Sequence, residues 1–175
     1  MAHDTKSRTD ALSGRDRQGR AFEIRPYARA DRMALERMYD EFEPKRVAQG
    51  LPPNGAHAIA RWLDRTLPKG EHVVVHVDGT LVGHGMLVPM PDDDETVELA
   101  SFLHQGARGR GIGTALNQAL IRIAAEAGRA RVWLSVEPSN RAAVRSYERV
   151  GFQRLPGSLW APEIEMQVEL PADDE

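Results

Sequence analysis

The stretch Arg108-Gly109-Arg110-Gly111-Ile112-Gly113 decides the fold, because it stands between a strand pattern and a helix pattern. Before it, Thr96 to Leu103 alternates as a strand does. After it, Ile112, Ala115, Leu116, Ala119, Leu120, Ile123 and Ala124 form one helical stripe between Gly111 and Ala127, and Gly128 is a natural C-cap. A turn in that position gathers free main-chain N–H groups and the positive end of a helix dipole on one point, which suits a phosphate. The glycines let backbone approach ligand oxygens without a Cβ in the way, and Arg108 and Arg110 add candidates for charge-assisted hydrogen bonds.

Two known phosphate loops fit this stretch badly. The P-loop needs a lysine where Thr114 and Ala115 follow Gly113. The dinucleotide fingerprint needs Gly or Ala at its last position, where Leu116 stands.

Outward from the loop, strand and helix patterns alternate. Upstream, Ala21 to Ile24 reads as a short strand, Asp31 opens a helix through Phe42, and Ile59 to Leu67 suggests a second helix after the turn-rich Leu51-Pro52-Pro53-Asn54-Gly55. Val73, Val75 and Val77, the Asp78-Gly79 turn and Leu81 to Val88 make a hairpin. Pro89 to Glu95 reads as a polar loop whose acidic run, Asp92 to Glu95, is solvated. Downstream, Val132 to Val136 is a strand, Ser139 or Asn140 caps a helix running to about Val150, and Phe152 to Leu155 and Ile164 to Leu170 are strands. Strands separated by helices in this way imply an α/β (α+β) fold, a mixed sheet flanked by helices.

Composition narrows the function. At 175 residues and 41% hydrophobic, the chain is the size of one domain. The absence of Cys excludes disulfides, thiolate metal sites and a cysteine nucleophile. A net charge of −3 argues against nonspecific nucleic-acid binding. With a polar start and no apolar run near the roughly 20 residues a bilayer needs, the expectation is a cytoplasmic protein without a membrane partner. Met1 to Arg20 carries charge and few apolar residues and is expected to be disordered, as is the acidic end Pro171 to Glu175. The histidines show no metal-ligand spacing, so no metal is expected.

A second signature follows the first. Asn140-Arg141-Ala142-Ala143-Val144-Arg145-Ser146-Tyr147-Glu148-Arg149-Val150-Gly151-Phe152 is a capped helix carrying a Tyr and ending in Gly-Phe. With Arg108, Gly111 and Gly113 matching Arg/Gln-x-x-Gly-x-Gly/Ala, the chain resembles the GNAT N-acetyltransferase superfamily over residues 21–170 and most sharply from Glu98 to Phe152.

The resemblance implies a mostly antiparallel sheet splayed into a V, with acetyl-CoA as co-substrate in the gap. The pyrophosphate would sit on amides from Arg108, Gly109, Arg110, Gly111, Ile112, Gly113 and Thr114. The pantetheine arm would run beside Phe102, Leu103 and His104, with Asn140, Ala143 and Tyr147 on its other side. Asn140, Ala143 or Val144, and Tyr147 also share a helix face by spacing alone. Tyr147 is the candidate acid for the departing thiolate, since a phenol of pKa ~10 suits a thiol of ~8.5. Glu98 is the candidate base. An ammonium of pKa ~10.4 needs about 4.6 kcal/mol to lose its proton at pH 7, and Glu98 precedes Arg108 by the spacing of a catalytic glutamate in some relatives. A strand amide near Leu103 would stabilise the oxyanion of a direct transfer to a primary amine. The segment Glu41 to His57 would lie over the acceptor, and many relatives form homodimers through their last strands. The competing reading is a noncatalytic acyl-CoA binding or sensing module, which would keep the loop without needing Tyr147 or Glu98.

Overall fold

Asp78 and Gly79 both take positive φ, 48° and 78°, which is the turn geometry that matches strand twist. It joins β3 (Glu71–Val77) to β4 (Thr80–Met90), and β4 returns as β5 (Asp93–Leu103). In this computed structural model the described residues are 11–157 and 161–171. The remaining elements are β1 (Leu12–Arg15), β2 (Ala21–Pro26), α1 (Arg32–Glu41), α2 (Ala56–Thr66), α3 (Ile112–Glu126), β6 (Arg131–Val136), α4 (Arg141–Arg149), β7 (Gln153–Arg154) and β8 (Ile164–Glu169).

The strands make one sheet in the order β1-β2-β3-β4-β5-β6-β8-β7, antiparallel except for β5 with β6. Each face is buried separately. Val73, Val75, Leu87, Val97 and Leu99 pack under Leu116, Leu120 and Ile123 of α3, while Val74, Met86 and Phe102 pack under Leu35, Ile59, Trp62 and Leu63 of α1 and α2. A Cβ on Gly85 would stand 2.8 Å from Leu120, so glycine there lets α3 lie close on the sheet.

The parallel pair is short. Thr96, Val97 and Glu98 pair with Arg131, Val132 and Trp133, after which β5 continues to Leu103 and β6 to Val136 without pairing with each other. This is the expected splay. Its closed end is pinned by Arg131, whose guanidinium meets Asp93 at 3.1 Å and Glu95 at 3.4 Å.

Two sequence expectations are corrected. Leu12–Arg15 is an edge strand paired with β2, because edge pairing uses main-chain groups and needs little apolar surface; residues 1–10 and 172–175 lie outside the described residues. The acidic run also extends strands, since Asp93 begins β5 and its carboxylate accepts from Thr96 Oγ1 at 2.6 Å.

A polar chain crosses the core under α1. His72 Nε2 faces the carbonyls of Thr66 and Lys69 at 3.1 and 2.8 Å, so its proton sits there and Nδ1 accepts from His84 Nε2 at 3.0 Å. Nδ1 of His84 then accepts from Tyr39 Oη at 2.6 Å. Both rings are neutral: burial, with His72 adding to it, lowers His84 from 6.5 to about 3, and burial lowers His72 as well. In the unfolded chain they protonate near 6.5, so their contribution is complete above that pH and is lost as pH falls below it, for His84 down to about 3. Between pH 6.5 and 5.5 the unfolding free energy from urea titration should fall at up to about 1.4 kcal/mol per pH unit for each histidine. His84→Gln should flatten that slope; an equally steep variant profile would contradict it.

Candidate functional site

The splay opens a cavity of about 640 Å³ between the ends of β5 and β6, bounded by α3, α4 and the segment after α1. Its walls include Ser101 and Leu103 on one strand, Ser135 on the other and Glu137 just beyond it, and Pro44 and Ala48 across the opening. His104 N–H donates to Val82 O at 2.7 Å, so strand alternation turns the N–H and C=O groups of Ser101 and Leu103 towards the gap.

At one side the glycine-rich turn enters α3. Gly109 and Gly111 have φ of 74° and 86°, left-handed conformations that a Cβ would strain. Gly111 is the N-cap of α3, and no side chain makes a capping hydrogen bond to the first-turn amides. Gly109, Gly111, Gly113, Thr114 and Arg108 line the cavity. Arg108 donates from Nε to Leu103 O at 2.8 Å and lies 4.9 Å over the Phe42 ring, joining the turn to the strand.

Arg110 and Ile112 do not line the cavity. Arg110 turns to Asp16 at 3.5 Å and to the carbonyl of Gly106, and the Ile112 side chain is fully buried in the core. His104 is likewise turned away: its Nδ1 accepts from Gly106 N–H, and its Nε2 faces Glu41 at 3.6 Å.

On the opposite wall, Asn140, Ala143 and Tyr147 of α4 line the cavity together. Asn140 Oδ1 accepts from Ala143 N–H at 3.3 Å, capping the helix. Tyr147 is buried, with its hydroxyl 3.4 Å from Ser101 Oγ; burial raises its pKa and the Ser101 contact opposes the rise. Glu98 is half-buried at the point where β5 and β6 part and does not line the cavity. It shares the strand face of Phe102, towards α1 and α2, whereas Ser101 faces Tyr147. Burial, and then Glu163, raise its carboxyl above the ordinary value.

Several site groups escaped the sequence reading. Ser101 is one of them. Asn117 is 2% exposed on the cavity wall, donates to Ser146 Oγ at 3.2 Å, and leaves Oδ1 without a partner. Its sequence signal is a lone amide beside the apolar stripe of α3. Gln49 reaches over the opening to Ser135 Oγ and to Glu163 at 3.2 Å. Nothing in the local pattern marks it. Among the described residues no group of three or more His, Cys, Asp or Glu is arranged to hold a metal, and no helix is long and apolar enough to cross a membrane.

Comparison with known proteins identifies the family and the fold. The profile of the acetyltransferase (GNAT) family matches residues 34–152. The chain belongs to the GNAT acetyltransferase family. An uncharacterised N-acetyltransferase of Mycobacterium tuberculosis is 35% identical over 112 residues, covering 63% of this chain and 69% of that protein. The GNAT domain of an S. lividans protein superposes with a TM-score of 0.77 at 17% identity, covering 91% of this chain and 97% of that domain. A putative acetyltransferase of Salmonella typhimurium, solved with its cofactor acetyl-CoA, gives 0.69 at 21% identity, with 86% and 94% covered.

The Asn140 cap is testable apart from any chemistry. Asn140→Ala should lower stability by about 1 kcal/mol in chemical denaturation, while Asn140→Asp retains most of it. An alanine variant of unchanged stability would remove the cap.

Proposed function

We propose that the protein transfers an acetyl group directly from acetyl-CoA to a primary amine. The observation that carries this reading is the cavity in the parted sheet, with a glycine-rich helix entry on one side and the buried Tyr147 hydroxyl on the other. The residues fit such a co-substrate. The turn holds amides free for a diphosphate, the unpaired strand edge at Ser101 and Leu103 suits an amide-bearing arm, and the orphan Asn117 Oδ1 is an acceptor for a ligand N–H.

The amine nitrogen attacks the thioester carbonyl carbon, a C–N bond forms and the C–S bond breaks. Tyr147 gives its phenolic proton to the departing sulfur and regains one from solvent. Glu98, directly or through a water, takes a proton that the acceptor must lose. A main-chain N–H at Ser101 or Leu103 faces the developing oxyanion. The two proton-transfer groups therefore work from opposite faces of the sheet, with the reacting atoms in the gap between them. Glu98 and Glu163 lie close enough to act on one another beside the parting strands, and this local negative pair favours a cationic acceptor, whether a protein amine or a small molecule.

Tyr147→Phe should lower kcat by about 10²-fold, the scale of positioned acid catalysis, with little change in acetyl-CoA affinity. Equal turnover would remove the phenol from its role. Because Glu98 must be ionised to accept a proton, its raised pKa puts the acid limb of kcat/KM above the ordinary carboxylate range. Glu163→Gln removes the neighbouring charge and should move that limb to lower pH, whereas Glu98→Gln should abolish it and shift activity to higher pH. Identical profiles in all three proteins would assign proton removal elsewhere. Release of free CoA thiol across a panel of diamines, amino acids and lysine peptides identifies the acceptor; release from none of them would favour a binding module.

A further inference from the structure

The hairpin of β1 and β2 lies outside the matched family segment, yet it is docked on the phosphate-binding turn. Its tip is a built turn. Asp16 Oδ1 accepts from the N–H groups of Gln18 and Arg20, both at 2.9 Å, and Gly19 takes a φ of 79°. The tip is tied to the turn twice: Arg17 N–H donates to Arg110 O at 3.0 Å, and the buried Asp16 carboxylate faces the Arg110 guanidinium at 3.5 Å. This arrangement places the Arg17 side chain against the helix entry. It lines the cavity, and a Cβ built on Gly111 would lie 3.7 Å from its Nε.

The two arginines of the glycine-rich turn itself are engaged. Arg108 donates to Leu103 O and lies over Phe42, while Arg110 is neutralised by Asp16 and donates to Gly106 O. Among the described residues no carboxylate lies within 4.0 Å of Arg17. A diphosphate seated on the amides of Gly111 to Thr114 carries more charge than a helix end neutralises, since a helix N-terminus is worth roughly half a charge. A guanidinium is the group suited to bridge two of its oxygens.

We propose that Arg17 is a binding residue for the co-substrate, its guanidinium bonded to the pyrophosphate beside Gly111, with Arg110 serving to anchor the hairpin that carries it. This rests on the acetyl-CoA reading above. The docking bond uses the Arg17 main chain, so replacing the side chain leaves the hairpin in place.

The test is calorimetric titration of the full chain with CoA and with 3′-dephospho-CoA, for the wild type, Arg17→Ala and Arg17→Lys. Loss of one charge-assisted hydrogen bond predicts about tenfold weaker binding of both nucleotides to Arg17→Ala, with a smaller loss for Arg17→Lys and a shallower salt dependence for the alanine variant. Unchanged affinity in Arg17→Ala overturns the proposal. A loss seen with CoA but not with its dephospho form places the contact on the 3′-phosphate and overturns the pyrophosphate assignment. If the wild type binds neither nucleotide, the acetyl-CoA reading itself fails and Arg17 loses its ligand with it.

Discussion

Inside a folded chain, a main-chain N–H or C=O turned away from water needs a partner, and the middle of this sheet leaves several without one. β5 and β6 pair from Thr96 to Glu98 and then part, which exposes the edge groups of Ser101 and Leu103 to an internal gap. Gly85 lets α3 settle closely on β4 and β5, while β6 is held by β8 on its far side. Arg131, with Asp93 and Glu95, fixes the closed end. Arg108 bonds one of the freed carbonyls, and the rest of the edge is available to a ligand shaped like a strand.

The sheet also divides the chemistry. Odd-numbered side chains near the end of β5 face α3 and α4, so Ser101 meets Tyr147; even-numbered ones face α1 and α2, so Glu98 shares the side of the covering segment and of Glu163. Burial raises the pKa of both proposed proton-transfer groups. For a phenol that is to donate and a carboxyl that is to accept from an ammonium, the shifts act on different steps. The phenol stays protonated until a thiolate develops beside it, and the carboxylate becomes a somewhat stronger base.

The fold was legible because its strongest signals are local. The Asp78-Gly79 turn, the apolar stripe of α3 and the glycine-rich entry each dictate backbone without help from distant residues. The family signatures added the splay, which no local pattern encodes. Arg108, Gly111, Asn140 and Tyr147 lie on the cavity wall, but spacing did not reveal that Arg110 points to Asp16, that Ile112 belongs to the core or that the His104 amide is bonded to Val82. Those outcomes depend on long-range pairings. The β1 hairpin was illegible for a related reason: an edge strand is held by main-chain bonds, so its sequence stays polar and resembles a loose tail.

The central claim is that the gap between β5 and β6 accepts a ligand on its free edge while the entry of α3 takes the phosphates. Amide chemical shifts followed by two-dimensional NMR during titration with CoA test it most directly. The largest changes should fall on Ser101, Leu103 and the amides from Gly109 to Thr114, with slowed hydrogen exchange at the two strand positions. Shifts confined to another surface, with these amides unmoved at saturation, would contradict it.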